Sequence, residues 1–190
     1  FNALEVIKKS GLPTVLTISP MGENKMRDGM SVVDTCKELE QRGADVVGLN
    51  CFRGPETMMP YLKEVRAAVK CHVGALPIPY RTSKEHPTFF NLPDYDNCGC
   101  PSPHGRTFPT ALDPLFCNRY EIGKFAKEAY DLGIKYIGVC CGAGRPGDRT
   151  LHQPDGRGQV RGLARRTDGT AGAEQGDRRR SARGGHHGQG

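Results

Sequence analysis

Two short stretches of the sequence place cysteine directly after an apolar strand pattern. The stretch "GADVVGLNC" ends at Cys51, and "GIKYIGVCC" ends at Cys140 and Cys141. Both begin with a glycine of the kind that ends helices, and both carry a second glycine and then an apolar residue before the first cysteine or its counterpart. Aligned on these glycines, Cys51 lies opposite Cys141 and Asn50 lies opposite Cys140. The shared pattern predicts equivalent positions for the two stretches in the fold.

Three thiolates around one point suit tetrahedral zinc. With three protein ligands the fourth position stays open for a substrate, whereas a structural site would need a fourth protein ligand. A substrate thiol in the open position would become a thiolate near neutral pH. We therefore predict a zinc site at Cys51, Cys140 and Cys141. The alternative that all three are ordinary buried thiols stays open at this point, since free cysteine is common in protein cores.

A second group of possible ligands lies in a long loop. The stretch "CGCPSPH" supplies Cys98, Cys100 and His104, and Cys117 follows it. These four residues would complete a closed structural zinc site. However, only one residue separates Cys98 from Cys100, which is fewer than zinc ligand pairs usually enclose. Free loop thiols are therefore the favoured interpretation.

The first 142 residues alternate between helix and strand patterns. The strand patterns are "PTVLTIS", "DVVGLN", "CHVGAL" and "YIGVC", and a helix pattern precedes each of them. Asn118 with Glu three residues later predicts the capped start of the last helix. Cys36, Cys71 and His72 fall within these patterns, and we expect them in the core. Four helix–strand units with apolar strands predict a parallel sheet covered by helices, either doubly wound or closed into a barrel.

The order of the strands bears on the three thiols. One strand pattern separates the two cysteine-bearing strands, and in a parallel barrel alternate strands contribute side chains to the same interior layer. A barrel would therefore bring Cys51 and Cys141 together at its carboxyl end, and Cys140 would join them if its strand twists or ends there. The 41-residue connection between Leu76 and Asn118 follows the same end of a strand. Because it far exceeds ordinary loop length, we expect it to be functional.

Composition divides the chain near residue 143. Residues 143–190 contain ten Arg, no Lys, five acidic residues and twelve Gly, with only three large aliphatic side chains. This segment cannot bury enough apolar surface to offset its ordering entropy, so we predict a disordered tail. The tail carries a net charge of +5, and residues 1–142, with 17 basic and 16 acidic residues, carry only +1. The basic balance therefore gives no reason to expect nucleic-acid binding by the folded part.

The sequence favours a soluble, cytoplasmic protein. No stretch approaches the roughly 20 apolar residues of a membrane span, and no charged-then-apolar leader opens the chain. Several of the eight cysteines lie inside helix and strand patterns, as reduced thiols do.

With "VGLNC" at 47–51 and "YIGVCCG" at 136–142 in view, the chain resembles the homocysteine S-methyltransferase family, and within it the betaine-using enzymes. The stretch "KFAKEAYDLGIKYIGVCCG" carries the most specific match, and the resemblance covers residues 1 to about 142. It implies a TIM-type (β/α)8 barrel, of which this chain would hold about strands 5 to 8 as a partial barrel followed by the tail. The domain boundaries would then be 1–142 and 143–190.

The resemblance also implies a reaction. Cys51, Cys140 and Cys141 would hold Zn²⁺, homocysteine would bind the zinc through its sulfur, and a methyl group would pass to that sulfur from betaine or a related onium donor to give methionine. S-methylmethionine and a folate-derived methyl group stay open as donors. No further residue is assigned to catalysis or cofactor binding, and the full-length protein could form a homo-oligomer.

Two departures from the family accompany these expectations. The family's first half-barrel, with its contacts to the amino acid part of homocysteine, has no counterpart here, and the Arg/Gly-rich tail stands where the eighth helix is expected. We therefore expect this fragment to be inactive alone, and we interpret the segment from Ala143 as a product of a lost reading frame. The competing hypothesis is a zinc-thiolate binding module whose basic tail binds nucleic acid.

Overall fold

The structure is a computed structural model of the 190-residue chain. It describes residues 1–22, 24–94, 107–109 and 111–142. The predicted tail and three of the four loop residues proposed as an alternative zinc site, Cys98, Cys100 and His104, lie outside the described residues.

Helices and strands alternate along the described chain, as the sequence predicts. In chain order they are α1 (Asn2–Lys8), β1 (Val15–Ile18), α2 (Val32–Gln41), β2 (Val46–Asn50), α3 (Pro55–Ala68), β3 (His72–Leu76), α4 (Arg119–Asp131) and β4 (Tyr136–Ile137). Two short 3₁₀ helices, Phe89–Asn91 and Asp113–Leu115, lie in the long connection after β3. The last strand is shorter than the predicted "YIGVC", although the backbone continues to bond to its neighbour beyond the strand.

Capping interactions fix where the principal helices begin. The Ser31 hydroxyl accepts a 2.9 Å hydrogen bond from the backbone nitrogen of Asp34 at the start of α2. At the start of α4, Asn118 and Glu121 form the predicted capping box, each side chain accepting a bond from the backbone of the other. Gly133, with φ of 84°, ends this helix in the left-handed conformation that favours glycine.

The four strands form one parallel sheet in the order β1-β2-β3-β4. Each neighbouring pair of strands is joined in sequence by a segment that contains a helix, which confirms the predicted α/β class with a helix-covered parallel sheet. The two cysteine-bearing strands, β2 and β4, lie on either side of β3. This is the alternate-strand arrangement that the sequence predicts.

The helices cover one face of the sheet. Val47, Leu49, Val73 and Ala75 are fully buried on that face and belong to the same core as residues from all four helices. Strand alternation places Thr17, Gly48, Gly74 and Tyr136 in one row on the opposite face. Gly48 and Gly74 have no side chain, and the side chains of Thr17 and Tyr136 lie beside Gly74. The thiols lie beyond the carboxyl end of this row.

The structure corrects the expectation that three residues in helix and strand patterns are all core residues. Cys36 is fully buried, but Cys71 is only half-buried and His72 is exposed. His72 is the first residue of β3, and alternation puts its side chain on the face without helices. Among the described residues, none of the helices has both the length and the apolar character needed to cross a membrane.

Candidate metal centre

Cys51 lies in a tight turn directly after β2. Its backbone nitrogen donates a 3.0 Å hydrogen bond to the carbonyl oxygen of Leu76, so the turn begins where the sheet ends. Cys51 and Phe52 both have left-handed backbone conformations, with φ of 61° and 57°. Such a conformation costs about 1–2 kcal/mol for each residue that is not glycine. The turn therefore depends on surrounding contacts to hold the Cys51 thiol in place.

Cys140 and Cys141 follow β4 in an equivalent position. The backbone nitrogen of Gly138 bonds to the carbonyl oxygen of Ala75 at 3.0 Å, and that of Cys140 bonds to the carbonyl oxygen of Pro77 at 2.8 Å. Both thiol-bearing segments are thus hydrogen-bonded to the carboxyl end of β3 and the residue after it. This shared template brings cysteines that are about 90 residues apart to one place.

The three sulfur atoms form one compact group. The Sγ atoms of Cys51 and Cys141 lie 3.5 Å apart, those of Cys140 and Cys141 lie 3.7 Å apart, and all three lie within 4.8 Å of one another. Zinc–sulfur bonds of about 2.3 Å in a tetrahedron require sulfur atoms about 3.8 Å apart. The spacing and the donor type of this group fit zinc. Among the residues that the structure describes, no other set of three His, Cys, Asp or Glu side chains is grouped in this way.

Burial differs among the three thiols. Cys51 and Cys140 are half-buried, and Cys141 is exposed, so one side of the group is open to solvent. Burial, followed by the neighbouring Cys141 and Cys140 thiols, raises the pKa of Cys51 to about 12. Without a metal ion this thiol stays protonated at neutral pH, and metal binding would have to displace its proton.

A cluster of aromatic rings packs against the thiols. It consists of Phe52, Tyr80, Phe89, Phe90, Phe108 and Phe116, which we call the aromatic cluster. Centroids of its neighbouring rings lie between 4.4 and 6.5 Å apart, and Cys51 and Cys140 contact the same apolar group. Most of these rings come from the long connection after β3, so this connection supplies the apolar packing beside the thiols. The cluster gives the thiols one apolar side.

The sequence analysis does not identify the part that Arg53 plays. This residue is only 4% exposed, and its guanidinium donates a hydrogen bond to the carbonyl oxygen of Gly22 and lies over the ring of Tyr61, 4.7 Å from its centroid. Burial lowers the pKa of this guanidinium, and among the described residues its Nε has no hydrogen-bond partner. Arg53 thus ties the loop after β1 to the turn of Cys51. In the sequence, the only indication of this role is that Arg53 lies two residues after Cys51.

Cys117 lies apart from the three thiols. It is half-buried between the aromatic cluster and α4, and burial raises its pKa to about 12. The alternative loop site cannot be assembled from the described residues, because its other three members lie outside them. The loop site therefore stays a prediction, and the three thiols after β2 and β4 are the site that the structure brings together.

Comparison with known proteins agrees with this arrangement. The sequence profile described as homocysteine S-methyltransferase matches residues 2–147. The chain belongs to the homocysteine S-methyltransferase family. This confirms the resemblance drawn from the two cysteine-bearing stretches, and the match includes all three thiols.

Individual relatives of this chain carry two kinds of name. Betaine–homocysteine S-methyltransferase 1 of Xenopus tropicalis is 36% identical over 148 residues, which cover 74% of this chain and 33% of the relative. The S-methylmethionine–homocysteine S-methyltransferase of Pongo abelii is 33% identical over 148 residues, covering 74% and 36%. Betaine–homocysteine S-methyltransferase 1 of Danio rerio is 33% identical over 146 residues, covering 74% and 33%. The chain thus spans about a third of the length of the curated relatives it matches.

Proposed function

We propose that this chain supplies the metal centre of a zinc-dependent methyltransferase that moves a methyl group from betaine, or a related onium donor, to the thiol of homocysteine, giving methionine. The observation that carries the proposal is the meeting of three cysteine sulfur atoms from two alternate strands at zinc spacing. The names of the relatives supply the reaction class.

In this proposal the chain provides three ligands and leaves one position for substrate. Zinc held by Cys51, Cys140 and Cys141 would keep the sulfur of homocysteine deprotonated near neutral pH. Cys141 is exposed, which supports the idea that the homocysteine sulfur can reach the site from solvent. On the opposite side, the aromatic cluster shields Cys51 and Cys140 from water, which strengthens electrostatic interactions at the site.

The charge of the donor set favours a cationic methyl donor. Three thiolates carry more negative charge than a divalent ion neutralises, and aromatic faces attract cations. Both donors in the names of the relatives, betaine and S-methylmethionine, are onium compounds. In the transfer, the sulfur of homocysteine forms a bond to the methyl carbon while the carbon–nitrogen or carbon–sulfur bond of the donor breaks. The departing amine or thioether keeps the electron pair of the broken bond.

We further propose that residues 1–142 form the second half of a TIM-type barrel. The parallel order β1-β2-β3-β4, with helices on one face and the thiols at the carboxyl end, supports this arrangement. Free thiols at Cys36, Cys71 and Cys117 support a reducing compartment such as the cytoplasm.

Zinc stoichiometry tests the proposal on the chain as it exists. The purified chain should bind one zinc ion per molecule, and Cys51→Ser, Cys140→Ser and Cys141→Ser should each abolish stoichiometric binding. Cys71→Ser is the matched control, because Cys71 is half-buried like Cys51 but lies outside the group. Zinc that survives all three substitutions, or that is lost only with Cys98→Ser, Cys100→Ser or Cys117→Ser, would place the metal elsewhere.

The methyl donor needs a separate assay, because the chain spans only about a third of its relatives. The longer protein that contains this chain should convert homocysteine to methionine with betaine, with S-methylmethionine or with both. Isotopic label in the donor methyl group should appear in methionine. Failure of both onium donors, with zinc bound, would contradict the proposed reaction while leaving the metal centre intact.

A further inference from the structure

Each thiol-bearing segment is followed by a glycine, and both glycines approach Tyr80. A β-carbon at Gly54, three residues after Cys51, would overlap the carbonyl oxygen of Tyr80 and lie 2.7 Å from Oγ1 of Thr82. A β-carbon at Gly142, directly after Cys141, would overlap the hydroxyl of Tyr80 and lie 2.9 Å from its Cζ. Tyr80 therefore fills the space between the two segments, its main chain against one and its hydroxyl against the other.

Tyr80 itself is held rigidly. Its ring lies nearly parallel to Phe89 with centroids 6.0 Å apart and packs on Phe116 with centroids 4.6 Å apart. Its main chain pairs with Phe116, and the hydrogen bonds from Cys117 to Pro79 (2.8 Å) and from Arg81 to Leu115 (2.9 Å) extend this pairing on both sides. Only 6% of the residue is exposed. A side chain fixed in this way can set the position of groups that rest on it.

We propose that Tyr80 is the positioning residue that sets the separation between Cys51 and the Cys140–Cys141 pair. The proposal rests on the zinc centre of the proposed function. A side chain at either Gly54 or Gly142 would overlap Tyr80. In this role Tyr80 acts through the two segments that carry the thiols.

The need for such a residue follows from geometry and strain. Zinc requires its ligands within about 0.2 Å of ideal distances. One ligand, Cys51, lies on a left-handed turn that is costly in isolation, and the others follow a strand of only two residues. Only a few backbone hydrogen bonds to the end of β3 fix each segment. A packed ring between them supplies a fixed distance.

Two glycine variants test the proposal, each with a matched control. Gly142→Ala should weaken zinc binding by about 10- to 100-fold, as loss of groups that orient metal ligands does. Its control is Gly133→Ala, because Gly133 has nearly the same φ (84° against 86°) but, in the part of the chain that the structure describes, nothing within 4 Å of an added β-carbon. Gly54→Ala should weaken zinc binding similarly. Its control is Gly22→Ala, because an added β-carbon there also meets no described residue within 4 Å. Both controls should bind zinc within about twofold of the wild type.

The hydroxyl of Tyr80 gives a rescue experiment. Tyr80→Phe removes the atom nearest the added β-carbon, so zinc binding by the Tyr80→Phe, Gly142→Ala double variant should recover toward that of Tyr80→Phe alone. Tyr80→Phe alone should weaken zinc binding by about tenfold. If Gly142→Ala does not fold, Gly54→Ala and Tyr80→Phe carry the test. A general loss of stability would lower zinc binding without rescue.

A metal-free measurement separates this proposal from the zinc proposal. In a Cys140→Ser background, a reagent that bridges two thiols should join Cys51 to Cys141, as mapped by peptide mass spectrometry, because their Sγ atoms lie 3.5 Å apart. Gly142→Ala should lower the yield of this bridge and Gly133→Ala should not. A wild-type chain that binds no zinc would overturn the metal centre but not this result. Equal zinc affinity and bridging yield for Gly142→Ala and Gly133→Ala would overturn the role of Tyr80.

Discussion

Gly48 and Gly74 are paired across strands β2 and β3, and we expect alanine to destabilise the fold at Gly48 much more than at Gly74. Their Cα atoms are paired in the parallel register. A β-carbon at Gly48 would lie 2.6 Å from the backbone nitrogen and 2.7 Å from the carbonyl carbon of Gly74. A β-carbon at Gly74 would instead lie 3.3 Å from Cδ1 of Tyr136 and 3.5 Å from Cγ2 of Thr17, both of which are side-chain atoms.

The loss of stability depends on which atoms the added methyl group meets. At Gly48 the obstacle is the backbone of the neighbouring strand, so the methyl group must push β2 away from β3. Overpacking costs about 1–3 kcal/mol, and each weakened ladder hydrogen bond adds about 1 kcal/mol. We therefore expect Gly48→Ala to lower the free energy of unfolding by about 3 kcal/mol. Gly74→Ala should change it by less than about 1 kcal/mol, because the smaller steric cost is offset by the reduced entropy of the unfolded chain.

Urea unfolding followed by circular dichroism measures both variants, with Gly22→Ala as a control at an open position. Since Cys51 lies three residues beyond Gly48, Gly48→Ala should also weaken zinc binding, whereas Gly74→Ala should leave it nearly unchanged. Equal losses of stability for the two variants would refute the reasoning. A Gly48→Ala chain as stable as the wild type would show that β2 and β3 can separate without cost.

Three further substitutions probe the helices and the core. Ser31→Ala removes the hydroxyl that caps α2 and should lower the free energy of unfolding by about 1 kcal/mol in urea titrations; no change would mean that the cap is not formed in solution. Leu62→Ala, at a fully buried position in α3, should lower it by about 2–5 kcal/mol, and a smaller loss would contradict a packed core beneath that helix. The hydrogen bonds from Arg81 lower the pKa of Glu121 in the folded protein below its unfolded value of 4.5. The carboxylate therefore stabilises the fold fully above pH 4.5, and this stabilisation is lost as the pH falls through the folded-state pKa. Glu121→Gln should therefore reduce stability near neutral pH, by about 1 kcal/mol for this largely exposed pair, and the difference from the wild type should vanish in acid; a difference independent of pH would refute this account.

The convergence of the three thiols could be predicted from the sequence because a parallel sheet is periodic. The two matching stretches end at Cys51, after β2, and at Cys141, after β4. The strands of one parallel sheet all end at the same edge, so the two cysteines lie at that edge. Regular secondary structure thus converts similar sequence positions into similar spatial positions. The caps at Ser31 and Asn118 were predictable for a related reason, because they depend only on residues within one helical turn.

Residues outside regular structure were less accessible to this reasoning. The long connection after β3 could be identified as functional, but no periodicity indicates that Tyr80 packs against Gly54 and Gly142. Likewise, "CFRGP" contains an arginine of the kind usually found at the surface, yet Arg53 is almost fully buried. These contacts join segments far apart in sequence, and single-residue patterns do not encode them.

The sequence by itself determined the helix–strand alternation, the parallel sheet and the placement of the cysteine-bearing strands on either side of one other strand, since local periodicity and chain order are enough to specify them. Only the tertiary structure decided the left-handed turn at Cys51, the burial of Arg53 and the packing of Tyr80 between the two thiol segments. The physical reason is that these features arise from steric contact between distant segments, and such contact is defined only when the chain has packed.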